Sequence, residues 1–562
     1  MFKTVFLLAV FTAVYVIAAP QKAFADDEYV VELHHGGKLQ GELKSAGSKQ
    51  KYVSFKGIPY GKPPINELRL RPTVPHPGWK GIRNATSHGG TCLNPGYLLT
   101  PSQSGQEDCL YLNVYTPDLN PEEKYPVMFW IHGGAFNAGS GNSLIYGPEW
   151  LLKEDVIVVT INYRLGLLGW FATGDKHSCG NYGAKDIVTA LKWVQSNIEK
   201  FGGDKDRVTV FGESAGSALT HYMMLSKMSR GLFSRAIAQS GSALAPWSYQ
   251  DFPKTTAFRI AKKLGLNATT TEEIVDEIRK IDDLSRFIAV TATLLTLDLP
   301  RGNLAFDYAP VVEPEDCDDE ERFLVEPPIV TTTKGDIYDV PFMVGHNDAE
   351  ALYNVRELDI YPTTADQYNN NSQWLLPYEW HILPHTAAAD DIITHVKNMY
   401  FNGGKIGDKT QYATYNTDRH FSYSVSKTVE LHSAAQKSPI YYYVFSFDGM
   451  LNYIKKIFVV LKYKGAMHAD ELGYLWKMMH APAPIIPGGK ADITKSRMLR
   501  MWTNFAKFAD PTPVIDDKII TTKWSPVKGR QEYMDIGDEL VFGSEPFAER
   551  MRMWKKLDQK YN

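Results

Sequence analysis

A serine set between two glycines, Gly212-Glu213-Ser214-Ala215-Gly216, is the strongest chemical signal in the chain. It follows the apolar, β-branched run Arg207-Val208-Thr209-Val210-Phe211 and precedes the helix-compatible residues 217–224. Strand, sharp turn and helix form the context in which G-x-S-x-G becomes a nucleophile elbow. Such a turn forces the serine into a strained backbone conformation and leaves no room for side chains two positions to either side. Glycine at 212 and 216 meets that demand. Roughly 0.1–0.3 such pentapeptides are expected by chance in a chain of this length, so the flanking elements carry the argument.

A serine hydroxyl is a poor nucleophile at neutral pH. It needs a base within hydrogen-bond reach, a carboxylate that orients the base, and donors for the oxyanion that develops. On a strand-turn-helix elbow the chain order is serine, acid, histidine. Asp348 and Glu350 both qualify as the acid by position, in Gly345-His346-Asn347-Asp348-Ala349-Glu350 after an apolar strand at 341–344. Among fifteen histidines, His468 stands in Gly465-Ala466-Met467-His468-Ala469-Asp470-Glu471-Leu472, where Gly465 frees the loop. A helix is expected to follow over residues 471–478. On residue types alone, a surface or core histidine is the competing reading of His468, and a solvated acidic loop that of Asp348 and Glu350. Oxyanion donors are expected from Ile131-His132-Gly133-Gly134-Ala135-Phe136, whose small residues let the backbone approach a substrate, and from the N–H of Ala215.

The elements that must hold these residues read as an α/β sheet. Near-continuous apolar runs at 126–131, 156–161, 208–211 and 236–238 suit strands buried on both faces, as in a parallel sheet covered by helices. Between them, residues 187–194 repeat apolar side chains at helical spacing. Later strands are expected at 341–344, 441–445 and 532–536, and strand-and-turn pairs near the start at 29–33, around His35-Gly36-Gly37, and at 52–55. Two long insertions, 247–336 and the aromatic-rich 351–437, follow strand ends on the ligand-binding side of such a sheet, where they would form a cap. The apolar run Ile457-Phe458-Val459-Val460-Leu461 reads either as a lipophilic entrance or as core.

The formal net charge of −4, with no long basic block, gives a nucleic-acid role no electrostatic support. Lys3 followed by an apolar run over residues 5–19 reads as a secretory leader, too short to span a membrane comfortably. Ala23-Phe24-Ala25 fits a cleavage site, with Ala18 or Ala19 as alternatives, so residues 1–25 are expected to be removed. No retention signal or lipid-anchor tail is read at the other end, and the protein is expected to be secreted without a stable membrane anchor. Export makes three sequons readable, at Asn84, Asn267 and Asn370. Four cysteines are few for an exported chain of 562 residues. Cys92 and Cys109 bracket a Gly/Pro/Ser-rich loop as a staple, while Cys179 and Cys317 either pair or stay free.

Collinear motifs from residue 55 onward resemble the type B carboxylesterase family, which includes cholinesterases and the juvenile-hormone and detoxifying esterases of insects. They are Phe55-Lys56-Gly57-Ile58-Pro59-Tyr60, Glu107-Asp108-Cys109-Leu110-Tyr111-Leu112-Asn113-Val114, the His132-Gly133-Gly134 loop, Asn162-Tyr163-Arg164 and Gly180-Asn181-Tyr182-Gly183. Residues 197–204, the Ser214 elbow, Gln239-Ser240-Gly241-Ser242, Pro246-Trp247, the His468 block and residues 502–507 complete the set. The resemblance implies an α/β-hydrolase fold: a mostly parallel central sheet flanked by helices, in one domain over residues 26–562. It implies Ser214 as nucleophile, Glu350 as acid, His468 as base, and Gly134, Ala135 and Ala215 as oxyanion donors. It further implies a Cys92–Cys109 disulfide, the ion pairs Arg69–Glu107 and Arg164–Asp186, and a small-molecule ester as substrate. No cofactor or metal is expected.

The departures narrow the substrate. Ala135 replaces a commoner third glycine, Ala351 stands where a glycine usually follows the acid, and Ile187 replaces a frequent glutamine. Juvenile-hormone esterases usually carry glutamine before the nucleophile, whereas this chain has Glu213. No tryptophan lies in residues 93–108, so the cation–π platform with which cholinesterases hold choline is missing. Uncharged esters are the expected substrates. Juvenile hormone, or a pheromone or odorant ester, is the narrower alternative, and a non-catalytic adhesion role, as in the family's members that lack a triad residue, the third.

Overall fold

A computed structural model of the chain describes residues 28–47, 50–96, 104–297, 306–317, 321–361, 363–478, 485–516 and 518–562. The expected leader, its cleavage points and the centre of the 93–108 loop lie outside the described residues. Fourteen strands occur among them. Three form a small sheet: β1 (Val30–Glu32), β2 (Lys38–Gln40) and β5 (Ile82–Asn84). The large sheet contains β3 (Glu42–Ser45), β4 (Lys51–Pro59), β6 (Tyr111–Thr116), β7 (Tyr125–Ile131), β8 (Ile157–Ile161), β9 (Gly203–Glu213) and β10 (Arg235–Gln239). It continues through β11 (Phe342–Asn347), β12 (Ile440–Phe445), β13 (Glu532–Ile536) and β14 (Leu540–Ser544).

The spatial order is β14-β13-β12-β11-β10-β9-β7-β8-β6-β4-β3. Strands β8 to β13 of this order pair in parallel, and the edges are antiparallel. This is the α/β-hydrolase arrangement. The apolar runs fill it because the central strands are covered twice. In β7, Val127, Phe129 and Ile131 enter one core while Met128 and Trp130 enter the other, as the two-residue period of a strand requires. The first core is packed by the helices Tyr182–Asn197 and Ala215–Leu225, the second by the helix Lys490–Phe508. Each large side chain fully withdrawn from water contributes roughly 1.5–3 kcal/mol.

Both insertions are helical. Pro253–Lys263, Thr271–Arg279, Ser285–Leu297 and Pro328–Lys334 lie between β10 and β11. Tyr353–Ile360, Thr363–Asn370, Ala387–Tyr400, Lys409–Thr417 and Tyr423–Ala435 lie between β11 and β12. The second insertion builds its own core with the C-terminal helix Ala548–Tyr561, around Tyr412, Tyr415 and Trp554.

Two cross-links tie loops to this frame. Cys92 is bonded to Cys109, and Cys179 is bonded to Cys317, which closes the alternative left open by the sequence. Arg69 grips Glu107 with two parallel bonds, Nε to Oε1 at 2.6 Å and a terminal nitrogen to Oε2 at 2.8 Å. Its other terminal nitrogen donates to the carbonyls of Ile278, Arg279 and Ile281, fastening the first insertion to the same post. Arg164 holds Asp186 in the same way. No helix among the described residues is long and apolar enough to cross a membrane.

The expected helix at 471–478 is absent. A 3₁₀ turn, Asp470–Tyr474, stands there instead, with every residue buried. Packing overrides propensity here: Asp470 accepts from Lys455 N and Met467 N, and a Cβ at Gly473 would meet the Leu451 carbonyl at 2.0 Å.

Candidate active site

The strands β7, β9 and β10 end within a residue of one another, since Ile131 pairs with Gly212 and Glu213 with Gln239, while β11, whose Gly345 pairs with Gln239, runs on to Asn347. Ligands of open α/β sheets bind beyond such carboxyl ends. Every candidate residue proves to leave this rim or to fold back onto it.

Ser214 sits between β9 and the helix Ala215–Leu225 at φ 59°, ψ −122°, a conformation few non-glycine residues adopt. The turn is tight enough to explain its neighbours. A Cβ on Gly216 would lie 2.0 Å from the Ile131 carbonyl oxygen, and one on Gly212 would lie 2.4 Å from that of Gly216. The clash is therefore with backbone, and it includes the adjacent strand β7.

Ser214 Oγ lies 2.8 Å from His468 Nε2, and His468 Nδ1 lies 2.7 Å from Glu350 Oε2. With the ring neutral, the serine hydroxyl donates to Nε2 while Nδ1–H donates to the carboxylate. Glu350 is fully buried; its Oε1 accepts from Asn347 N at 2.7 Å, and its carbonyl accepts from His468 N at 3.1 Å. Asp348, the other acid allowed by position, accepts from Ala466 N at 2.7 Å and so secures the histidine loop rather than the imidazole. Ala351 adopts φ −90°, which needs no glycine, and its N–H is taken by Thr417 Oγ1.

The His132–Phe136 loop lies against the serine, for a Cβ on Gly133 would stand 3.1 Å from Ser214 Cβ. Gly134 and Ala135 have positive φ, 116° and 55°. The N–H groups of Gly134, Ala135 and Ala215 donate to no acceptor among the described residues. Ala215 opens a helix, so its N–H also carries the positive end of the helix dipole.

Acidic residues crowd the imidazole. Glu213 Oε1 is 3.1 Å from His468 Nε2. Burial pushes the Glu213 carboxyl up to about 8; the His468 charge opposes this, and Glu471 and Glu350 add to it. Burial works against a charged His468, yet Glu213 and Glu350 outweigh it and raise the ring. Glu471, pushed up to about 7 by burial and by Glu350, accepts from Asn347 Nδ2 at 2.7 Å and Gln239 Nε2 at 3.1 Å. Trp502 Nε1 donates to Gln239 Oε1. This buried network locks the ends of β10 and β11 beneath the site. Its members stand inside motifs visible in the sequence, but nothing in residue type or spacing assigns them that task.

An aromatic wall runs beside the histidine. The Phe421 ring lies 4.8 Å from that of His468 and 5.9 Å from that of Trp247. Trp247 in turn stands near Phe306 and Phe136, at 6.2 and 6.3 Å. Trp247 Nε1 donates to the His420 carbonyl, so the two insertions meet at this wall. Phe421 belongs to a π-helical turn, Asp418–Ser422, that no sequence pattern announces. Val460 of the 457–461 run is core, whereas Val459 and Leu461 face solvent. The asparagines of the three sequons, Asn84, Asn267 and Asn370, are exposed.

Comparison with known proteins places this geometry in a familiar setting. A family model described as the carboxylesterase family matches residues 27–554. Juvenile hormone esterase of Tribolium castaneum is 34% identical over 85% of this chain and 83% of that protein. Esterase E4 of Myzus persicae is 35% identical over 79% of this chain and 80% of that protein. The crystal structure of juvenile hormone esterase from Manduca sexta, with OTFP covalently attached, superposes with a TM-score of 0.83 at 29% identity, covering 94% of this chain and 99% of the other.

Proposed function

This chain belongs to the carboxylesterase family and is an ester hydrolase; from that premise we propose that it is a secreted serine esterase that cleaves uncharged carboxylic esters through an acyl-enzyme on Ser214. The observation that carries the reading is the unbroken hydrogen-bonded line Ser214–His468–Glu350 next to three unpaired N–H groups.

In the proposed reaction Ser214 Oγ attacks the ester carbonyl while its proton passes to His468 Nε2. The carbonyl oxygen, now negative, is received by the N–H groups of Gly134, Ala135 and Ala215; one such donor is worth about 10²–10³ in kcat. The buried Glu350 carboxylate stabilises the imidazolium through Nδ1. His468 then returns the proton to the departing alkoxide, leaving an ester on Ser214. Water, deprotonated by the same imidazole, attacks that ester; the bond to Ser214 Oγ then breaks, the imidazolium returns its proton to Oγ, and the acid leaves. The aromatic wall of Phe421, Trp247, Phe306 and Phe136 supports an uncharged, lipophilic acyl or alcohol group.

Residues 1–25 are proposed as a cleaved leader and 26–562 as one esterase domain, glycosylated at Asn84, Asn267 and Asn370. A narrower reading, hydrolysis of juvenile hormone itself, is favoured by the likeness to the Tribolium and Manduca proteins. Glu213 in place of the glutamine usual in those enzymes favours a general esterase.

The test is to treat the secreted protein with an organophosphate and map the adduct by mass spectrometry. One tag per chain on Ser214 is expected. A folded protein tagged elsewhere, or not at all, ends the reading. Hydrolysis of juvenile hormone measured against short-chain and long-chain esters then separates the narrow from the broad substrate range.

A further inference from the structure

Two segments beyond strand ends turn large apolar side chains to solvent. Val459 is 70% exposed and Leu461 58%; Ile360 and Tyr361 are 53% and 55% exposed. The first pair flanks Val460, which is buried in a cluster with Ile454, Met467, Leu352 and Val355. Val459 has φ 57°, a region that β-branched residues rarely enter. The strained turn after the helix Tyr453–Ile457 thus anchors one apolar residue and holds its two neighbours out.

The second pair ends the helix Tyr353–Ile360, whose Val355 lies in that same cluster. The rings of Tyr353 and Phe458 are 6.2 Å apart at the start of that helix, and near its end the Asp359 carboxylate feels the charges of Arg356 and Lys462, so the two segments run side by side. Exposed cations rim it: Arg356, Lys462 and Lys464. None has a carboxylate within ion-pair distance among the described residues. Of the nearby acids, Asp359 is paired with Lys409, and the half-buried Glu357 accepts from Asn354 Nδ2.

We propose that this apolar tip with its basic rim docks the protein reversibly on a lipid bilayer carrying anionic headgroups. Val459, Leu461 and Ile360 would enter the headgroup–acyl boundary, Tyr361 would sit at the interface, and the three cations would meet the lipid charge. Scattered exposed apolar residues need no explanation. Four on two neighbouring segments, beside three cations that hold no carboxylate at ion-pair distance among the described residues, match an anionic lipid surface. The docked face is packed through Val460 and Met467 against the loop of His468.

Flotation of the full protein with vesicles tests the docking. Binding to phosphatidylcholine vesicles containing phosphatidylserine is expected, with little binding to phosphatidylcholine alone. Each basic residue at an anionic surface is worth roughly fivefold in partitioning, so Lys462→Glu with Lys464→Glu should lower binding by at least about 25-fold. Val459→Asp with Leu461→Asp should lower it more than about tenfold. Both double variants should hydrolyse a water-soluble short-chain ester within about twofold of the parent, as surface substitutions do, which reports an intact fold. The proposal fails if the parent does not float with either vesicle, or if neither double variant weakens flotation. It fails equally if the parent sediments as a dimer that Val459→Asp with Leu461→Asp converts to monomer.

Discussion

Glu213 Oε1 lies 3.1 Å from His468 Nε2, the same nitrogen that stands 2.8 Å from the Ser214 hydroxyl. The residue preceding Ser214 on β9 therefore acts on His468 directly. His468 can take a proton only when neutral, and a carboxylate at Nε2 favours the charged ring. Glu213→Gln removes that bias, so the acid limb of kcat/KM should move to lower pH, by about one unit or more. A pH–rate profile with an uncharged ester checks it. An unmoved limb would mean that Glu213 stays protonated throughout and has no electrostatic hold on His468.

The two acids of the 345–350 segment should separate cleanly by substitution. Glu350→Gln keeps the shape of the side chain but no longer stabilises the imidazolium, and kcat should fall by roughly 10³–10⁴ with the fold intact. Asp348→Asn retains an oxygen able to accept from Ala466 N and should lower kcat by less than about tenfold. Steady-state kinetics beside circular dichroism read both. The reverse pattern would make Asp348 the acid.

That pair also marks where sequence reading ends. Strands β7, β8, β9 and β12 were legible because burial on both faces turns them into unbroken apolar runs, and Ser214 because its elbow needs two glycines. Asp348 and Glu350 ride the same loop, and only the 3₁₀ turn at Glu350–Leu352 decides which carboxylate faces Nδ1. His468 was singled out by likeness to a family, since its neighbours obey packing rather than a helical or strand period. Phe421 left no trace in the pattern. Its place beside His468 depends on a π-helical turn and on contacts between two insertions far apart in the chain.

The Arg69–Glu107 pair is buried and bidentate, and Arg69 also serves three carbonyls of the first insertion. Glu107→Ala would leave a guanidinium buried without its counter-charge. The expected loss is about 3–5 kcal/mol of stability, read as a lower midpoint in urea unfolding. A loss under about 1 kcal/mol would place the pair with exposed bridges, which contribute little.

The preference proposed for uncharged over charged esters is testable from what surrounds His468. A quaternary ammonium needs an aromatic face or a carboxylate to replace its hydration. Residues 93–108 contain no tryptophan. Glu213, the acid nearest the serine, is buried with its Oε1 against His468 Nε2, so its charge is engaged by the imidazole rather than open to a cation. Phe421, Trp247 and Phe136, which are buried, and the half-buried Phe306 instead offer an apolar wall. An uncharged chain gains about 0.8 kcal/mol per methylene placed there, roughly fourfold in affinity. Naphthyl or p-nitrophenyl esters of short to medium acids should therefore exceed acetylcholine in kcat/KM by at least about a hundredfold, or roughly 2.7 kcal/mol of transition-state discrimination. The comparison is made at one pH with matched acyl groups. Equal kcat/KM values would require a choline site built from other residues near Ser214, and would leave the Ser214–His468–Glu350 line untouched.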